Sequence, residues 1–351
     1  MALFAVVLVV VWGVGFLWVR GDLKPGKPVA GKPAATSPAD PTASVSTDPV
    51  TPKASPGATY TGKVRPAEER RPVDINPAAA RPRPVALPPV TQFTMATFNL
   101  LGSSHSTRGG SAAGFAPGTQ RMRGALAILA AHRVSIVGLQ EFQPNQRATF
   151  QREATGWAMY PGLSLGRRAG ENSLAWRTDT WEMVKPALID IPYFNGHIRP
   201  MPYLLMRNKQ TGVQAYFSTF HNPADIGGNM QRYRTAGTTR EIALFNNLEK
   251  TGIPQFVTGD MNERDEYFCR ITGSTPLIAA AGGSNNGGCA VPRPTQIDWI
   301  FGSPGVQFGG YTIDRSALVR RTTDHPVVVT QVVLDALKFK NAYVPKPATV
   351  P

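Results

Sequence analysis

Large apolar side chains are scarce between residues 21 and 90, where Pro, Ala, Thr, Ser and Lys/Arg dominate. Such a stretch cannot bury enough surface to offset its ordering entropy, which excludes a packed core there and predicts a disordered, semi-extended linker. Cysteine is scarcer still, with only Cys269 and Cys289 in 351 residues, so one disulfide at most is available. No internal repeat is present. Acidic residues are also in short supply, 23 Asp/Glu against 37 Lys/Arg, for a formal charge of +14. Beyond residue 90 the balance is 26 basic to 17 acidic, so the remainder is basic in its own right. That surplus favours polyanionic partners such as nucleic acid, or an anionic surface. A generally basic proteome would give the same sign, so charge alone does not name a substrate.

What is present begins with an uninterrupted apolar run over residues 2–19. As a helix it would reach about 27 Å, close to the hydrocarbon thickness of a bilayer. No basic residue precedes it, and Trp18-Val19-Arg20 offers no small-residue cleavage site, which favours a signal anchor over a cleaved signal peptide. Arg20, Lys24 and Lys27 follow the run and would hold the rest of the chain in the cytoplasm. The stalk-like linker and the even cysteine count argue for an outward-facing domain with a Cys269–Cys289 disulfide, two reduced thiols being the alternative. The expected organisation is a transmembrane anchor at 1–20, the linker at 21–90, one folded domain at 91–337 and a tail at 338–351.

Within the folded part, apolar or β-branched runs at 93–100, 134–139, 213–219, 254–258, 295–301 and 326–334 read as strands. Residues 119–132 and 233–248 carry helical periodicity, the second stopped by Gly252 and Pro254. Alternating elements with some strands in adjacent pairs predict an α/β domain with mixed sheets. Six segments put polar groups near strand ends: Thr97-Phe98-Asn99-Leu100, Gly138-Leu139-Gln140-Glu141, Ser218-Thr219-Phe220-His221-Asn222, Thr258-Gly259-Asp260-Met261-Asn262, Ile297-Asp298-Trp299-Ile300-Phe301 and Thr323-Asp324-His325-Pro326. Strand ends on a rigid sheet are where catalytic groups are commonly held.

In order and content these segments resemble the endonuclease/exonuclease/phosphatase superfamily, which includes deoxyribonuclease I, apurinic endonucleases, neutral sphingomyelinases and inositol polyphosphate 5-phosphatases. The Asp260-x-Asn262 and Asp324-His325 pairs are the most specific parts. The resemblance implies a four-layer α/β sandwich with two mixed β-sheets and a hydrolase of phosphoester bonds. It also implies a divalent metal, usually magnesium, with manganese as the substitute. By the same resemblance Asn99, Glu141 and Asp324 are the expected metal ligands, and His221, Asp260, Asn262, Asp298 and His325 the expected catalytic residues.

The residue types suit that chemistry, since phosphodiester hydrolysis needs in-line attack by water and charge stabilisation on the phosphoryl oxygens. A hard cation prefers carboxylate and amide oxygens. In the family the histidine matching His325 is hydrogen-bonded by the aspartate matching Asp298; activating water and binding the phosphoryl group both remain open for it. Asp260 either orients the nucleophile or holds a second metal, and Asn262 donates its amide to substrate or nucleophile. His221 matches the phosphate-contacting histidine of the deoxyribonuclease and sphingomyelinase branches, which counts against a base-excision role. Glu171 is a weaker candidate for orienting His221. His105, His132 and His197 match no motif, and Trp157, Tyr160 and Trp176 read as core. Nucleic acid is the favoured substrate. A phospholipid or small-molecule phosphoester is the alternative, a non-catalytic surface binding protein is the third reading, and no obligate protein partner is expected.

Overall fold

The computed structural model describes residues 90–166 and 170–344. The anchor expected at 1–20 and all but the last residue of the linker expected at 21–90 lie outside the described residues. Among the described residues no helix is long and apolar enough to cross a membrane.

Period-two alternation in buried strands decides the architecture. In β1 (Val90–Asn99), Phe93 and Met95 join a cluster with Trp181, Phe217, Phe256 and Val332, while Ala96 and Phe98 join another with Met122, Ile128 and Phe150. A strand apolar on both faces must be covered on both. The first sheet contains, in chain order, β1, β2 (Ile136–Gln140), β3 (Trp157–Tyr160), β4 (Ser173–Arg177), β11 (Gln307–Asp314) and β12 (Val327–Asp335), in the spatial order β11-β12-β1-β2-β4-β3. The second contains β5 (Trp181–Pro192), β6 (Ile198–Asn208), β7 (Gln214–His221), β8 (Gln255–Asp260), β9 (Ile278–Ala279) and β10 (Asp298–Gly302), in the order β5-β6-β7-β8-β10-β9. β1 runs parallel to β2 and β7 parallel to β8; the other pairings are antiparallel, so both sheets are mixed.

The cluster holding Phe93, Phe217 and Phe256 fills the space between the sheets. On the outer side of the first sheet pack α1 (Gly118–Ala131), α2 (Pro144–Glu153) and α5 (Ala317–Thr322), through Met122, Phe150 and Val319. On the outer side of the second pack α3 (Gln231–Glu249) and α4 (Asp265–Ser274), through Phe245 and Phe268. Helix, sheet, sheet and helix make the four layers the family resemblance implied. Packing continues past Leu337, since Ala342 is fully buried in the inter-sheet core and Tyr343 bridges to Val213. Cys269, in α4, is disulfide-bonded to Cys289, with Cα atoms 5.6 Å apart.

The inter-sheet face changes character along the strands, and this positions the site. Read from start to end, β1 presents Phe93, Met95, Thr97 and Asn99; β7 presents Phe217, Thr219 and His221; β8 presents Phe256, Thr258 and Asp260. Apolar side chains give way to a hydroxyl and amide layer, in which Gln140 donates to Thr219 Oγ1 across the sheets at 2.8 Å. A Cβ on Gly138 would lie 2.0 Å from Thr258 Oγ1 and 2.5 Å from Thr219 Oγ1, so only glycine fits there. Beyond this layer the same faces end in acids, amides and histidines.

Candidate active site

At that end β1, β2, β7 and β8 finish, while β10 and the Thr323–Pro326 turn before β12 begin, which brings all six segments together. Asp260 is the point of convergence. Its Oδ2 accepts from Asn99 Nδ2 at 2.9 Å and lies 3.6 Å from both His221 Nε2 and His325 Nε2. Its Oδ1 accepts from the Asn262 main-chain N–H at 3.0 Å. The carboxylate is 1 % exposed, so its fixed partners largely replace water.

Asn99 links strands, since its Nδ2 also donates to Glu141 Oε1 at 3.1 Å while its Oδ1 accepts from Leu101 N. Glu141 follows β2 with φ 54°, and Asn262 follows β8 with φ 51°. A left-handed non-glycine residue costs on the order of 1–3 kcal/mol and persists where its surroundings over-determine it. Burial works against the Glu141 charge. Hydrogen bonds from His105 (3.3 Å), the Gly102 main chain (2.8 Å) and Asn99 nevertheless hold its carboxyl well below the usual carboxylate range. Asn262 gives its Nδ2 to the Asn222 main-chain oxygen at 2.8 Å.

Asp298, nearly sealed from solvent, places Oδ2 3.0 Å and Oδ1 3.2 Å from His325 Nδ1. Burial pushes the Asp298 carboxyl up, while its charge and hydrogen bond raise the His325 imidazole against the opposing effect of burial. Asp324 is exposed beside this pair, and its charge also reaches His105 and Arg121. All eight expected site residues therefore belong to one cluster. Ligand atoms of Asp260, Asp298 and His325 also lie within 4.8 Å of one another. Asp298 and His325 already turn those atoms toward each other, which makes them a hydrogen-bonded pair more readily than a ligand set.

Other residues at the site carried no motif. His105, from a lone-histidine loop, pairs with Glu141. Glu171 pairs with Arg199 at 3.1 Å instead of orienting His221, whose Nδ1 lies 3.5 Å from the Tyr193 hydroxyl. His132 caps α1 and pairs with Asp314 at 2.8 Å, away from these groups. Trp176 is buried between the sheets, and Trp157 and Tyr160 are half-buried against the core.

Residues 96–325 match the model of the Endonuclease/Exonuclease/phosphatase family, and the chain belongs to that family. No curated protein matches the chain. Among solved structures it is similar to an endonuclease/exonuclease/phosphatase family protein from Bacteroides thetaiotaomicron, 18% identical, covering 74% of this chain and 99% of that one with a TM-score of 0.56. A mannosyl-6-phosphatase of the same organism is 18% identical over 69% of this chain and 100% of its own, with a TM-score of 0.52. The human Nocturnin catalytic domain with bound sulfate is 18% identical over 69% and 94%, with a TM-score of 0.53. At such identity these likenesses establish the fold, not the substrate.

Proposed function

We propose that the chain is a divalent-metal-dependent phosphodiesterase, with nucleic acid as its substrate class and the domain held outside a membrane by the N-terminal segment. The observation that carries the hydrolytic reading is the convergence of Asn99, His221, Asn262 and His325 on the Asp260 carboxylate. A binding module has no need of a buried acid surrounded by two histidines, the Asn99 amide and the Asn262 main-chain N–H.

The donor set suits a hard cation, since Glu141, Asn99 and Asp324 offer carboxylate and amide oxygens and no thiolate, with the His105 imidazole beside Glu141. Glu141, Asn99 and Asp324 would hold the ion. When bound, a divalent cation supplies positive charge against the phosphoryl oxygens. Asp298 fixes the orientation of the His325 ring through Nδ1, favours its protonated form and leaves Nε2 toward the reacting centre. Asp260 orients the attacking water, while His221 and Asn262 hold phosphoryl oxygens. The basic surplus beyond residue 90 supports a polyanionic substrate.

The test is a substrate panel with magnesium: plasmid DNA, RNA, sphingomyelin and inositol phosphates. Cleavage of DNA or RNA abolished by chelator is expected. Turnover confined to sphingomyelin or an inositol phosphate would move the assignment to the alternative, and no turnover of any phosphoester would overturn the hydrolytic reading.

A further inference from the structure

On the helix side of the second sheet, three buried polar side chains lead from α4 through α3 to the end of β7. Tyr267 and Glu241 are fully buried, and the tyrosine hydroxyl donates to Glu241 Oε2 at 2.7 Å. The Asn222 amide bears on the same carboxyl. Glu241 Oε1 and both polar side-chain atoms of Asn222 nevertheless have no hydrogen-bond partner of normal geometry among the described residues. Gly237, one turn before Glu241 in α3, lets the helix approach this pair: a Cβ there would lie 3.4 Å from Asn222 Oδ1 and 3.7 Å from Glu241 Oε1. Asn222 is fully buried too and directly follows His221. Its main chain spans to the end of β8, where the N–H donates to Asp260 O at 3.0 Å and the carbonyl accepts from Asn262 Nδ2 at 2.8 Å.

We propose that Glu241 is a positioning residue: it holds the Asn222 amide and, through the Asn222 main chain, fixes Asn262 and His221. The effect on turnover rests on the phosphoesterase reading above. A buried carboxyl oxygen and a buried amide left unpaired are costly, and each is the partner the other has at hand. The amide carries both a donor and an acceptor, so it meets the carboxyl whether that group is protonated or ionised. Asn262 needs a fixed anchor, because its φ of 51° lies in the left-handed region and persists only where the surroundings over-determine it. It has two such anchors, Asp260 Oδ1 and the Asn222 carbonyl. The first is a reacting carboxylate and the second depends on Asn222 alone. Loosening Asn222 therefore frees Asn262 and the His221 peptide beside it. Glu241 is held by Tyr267 and acts on Asn222, so its influence on the site passes through that one residue.

The experiment compares the full-length wild type with Glu241→Leu, Asn222→Ala and the double variant. Two quantities are read: hydrolysis of bis(p-nitrophenyl) phosphate with magnesium, and hydrogen exchange of the segment 261–264. Glu241→Leu should lower kcat about 10–100-fold while KM changes by less than about threefold, the signature of misplaced groups and not of lost substrate binding. The double variant should lose no more than Asn222→Ala alone, since both substitutions break one chain. Exchange in 261–264 should quicken about tenfold, with the first sheet unchanged. Glu241→Gln keeps a donor and an acceptor and should recover most of both losses. Should leucine prevent folding, Tyr267→Phe removes only the hydroxyl that holds Oε2 and should move both readouts in the same direction. A folded Glu241→Leu with wild-type kcat and exchange overturns the proposal, as do losses that add in the double variant or exchange that quickens throughout the domain. Quickened exchange confined to 261–264, in a protein whose wild type hydrolyses no phosphoester, sinks the catalytic reading and leaves the positioning chain standing.

Discussion

The His325 imidazole meets Asp298 through Nδ1, 3.0 Å from one carboxylate oxygen and 3.2 Å from the other, so this ring nitrogen is committed as a donor. The ring cannot rotate without breaking a contact that solvent scarcely reaches. Asp298→Asn keeps the shape but can turn an N–H toward Nδ1 and removes the charge that favours the protonated ring, which releases the imidazole. Turnover should fall by about 10²–10⁴, the usual worth of a positioned acid–base group. KM should change far less than kcat. A variant with wild-type kcat would remove His325 from the chemistry.

Glu141 tests the metal separately. Glu141→Gln retains the volume but removes the charge that a hard cation needs, and its single carbonyl oxygen can keep only one of the two hydrogen bonds accepted from Asn99 Nδ2 and the Gly102 main chain. Magnesium affinity, read by calorimetry, should weaken by about 10–100-fold or more, with partial recovery of activity at raised magnesium or with manganese. Full activity of this variant in the presence of a chelator would sink the metal requirement.

How much of this was legible in the sequence follows from strand parity. Phe93, Met95, Thr97 and Asn99 share one face, so a reader who places the core also places the ligand end. The same holds for Phe256, Thr258 and Asp260. The β5–β6 hairpin was not legible, because Pro186, Pro200 and Pro202 interrupt it, and proline within a run ordinarily argues against a strand. In the structure β6 pairs with β7 only from Tyr203 onward, so Pro200 and Pro202 lie beyond that ladder, opposite Asp190 and Leu188 of the edge strand β5. Missing the hairpin meant missing Tyr193 and Arg199 beside the site. His105 gave no signal at all, since a single histidine in a loop becomes informative only when Glu141 is seen next to it.

A second buried acid gives a pH-dependent stability. Glu241, in α3, is fully buried, which pushes its carboxyl up to about 7 although the Tyr267 hydroxyl donates to it at 2.7 Å. The native state then holds this proton more tightly than the unfolded chain. Its contribution is complete below the ordinary value of 4.5 and is lost as pH rises through about 7. The difference is on the order of 3 kcal/mol. Glu241→Gln carries no such titration, so wild-type Tm should fall relative to the variant as pH is raised from about 5 to about 8. Parallel Tm curves for the two proteins would show that Glu241 titrates as an ordinary carboxyl.

The Cys269–Cys289 bond closes a loop of 20 residues against α4. Cross-linking a loop of that length stabilises a domain by about 3 kcal/mol, so reduction should lower Tm by on the order of 10 °C. Mass spectrometry of native material should find the bond intact if the domain faces outward. Two free thiols there would remove one of the two arguments for export and leave the linker alone against the Arg20, Lys24 and Lys27 cluster.

Salt dependence separates the nucleic-acid substrate from a small phosphoester. A domain that grips several phosphates releases condensed counterions, and log affinity falls with log salt at a slope of about −0.9 per phosphate neutralised. A small phosphoester offers only one or two charges and gives a shallow line. The measurement is binding of a short DNA duplex to the Asp260→Ala, His325→Ala double variant, with calcium replacing magnesium so that residual cleavage does not distort the titration. Removing a carboxylate and an imidazole at the reacting centre leaves the basic surface elsewhere intact, so long-range attraction should survive. A slope steeper than about −3 is expected, corresponding to more than three phosphates held. A slope near zero, or no binding at low salt, would exclude nucleic acid and leave the small phosphoesters as the class to pursue.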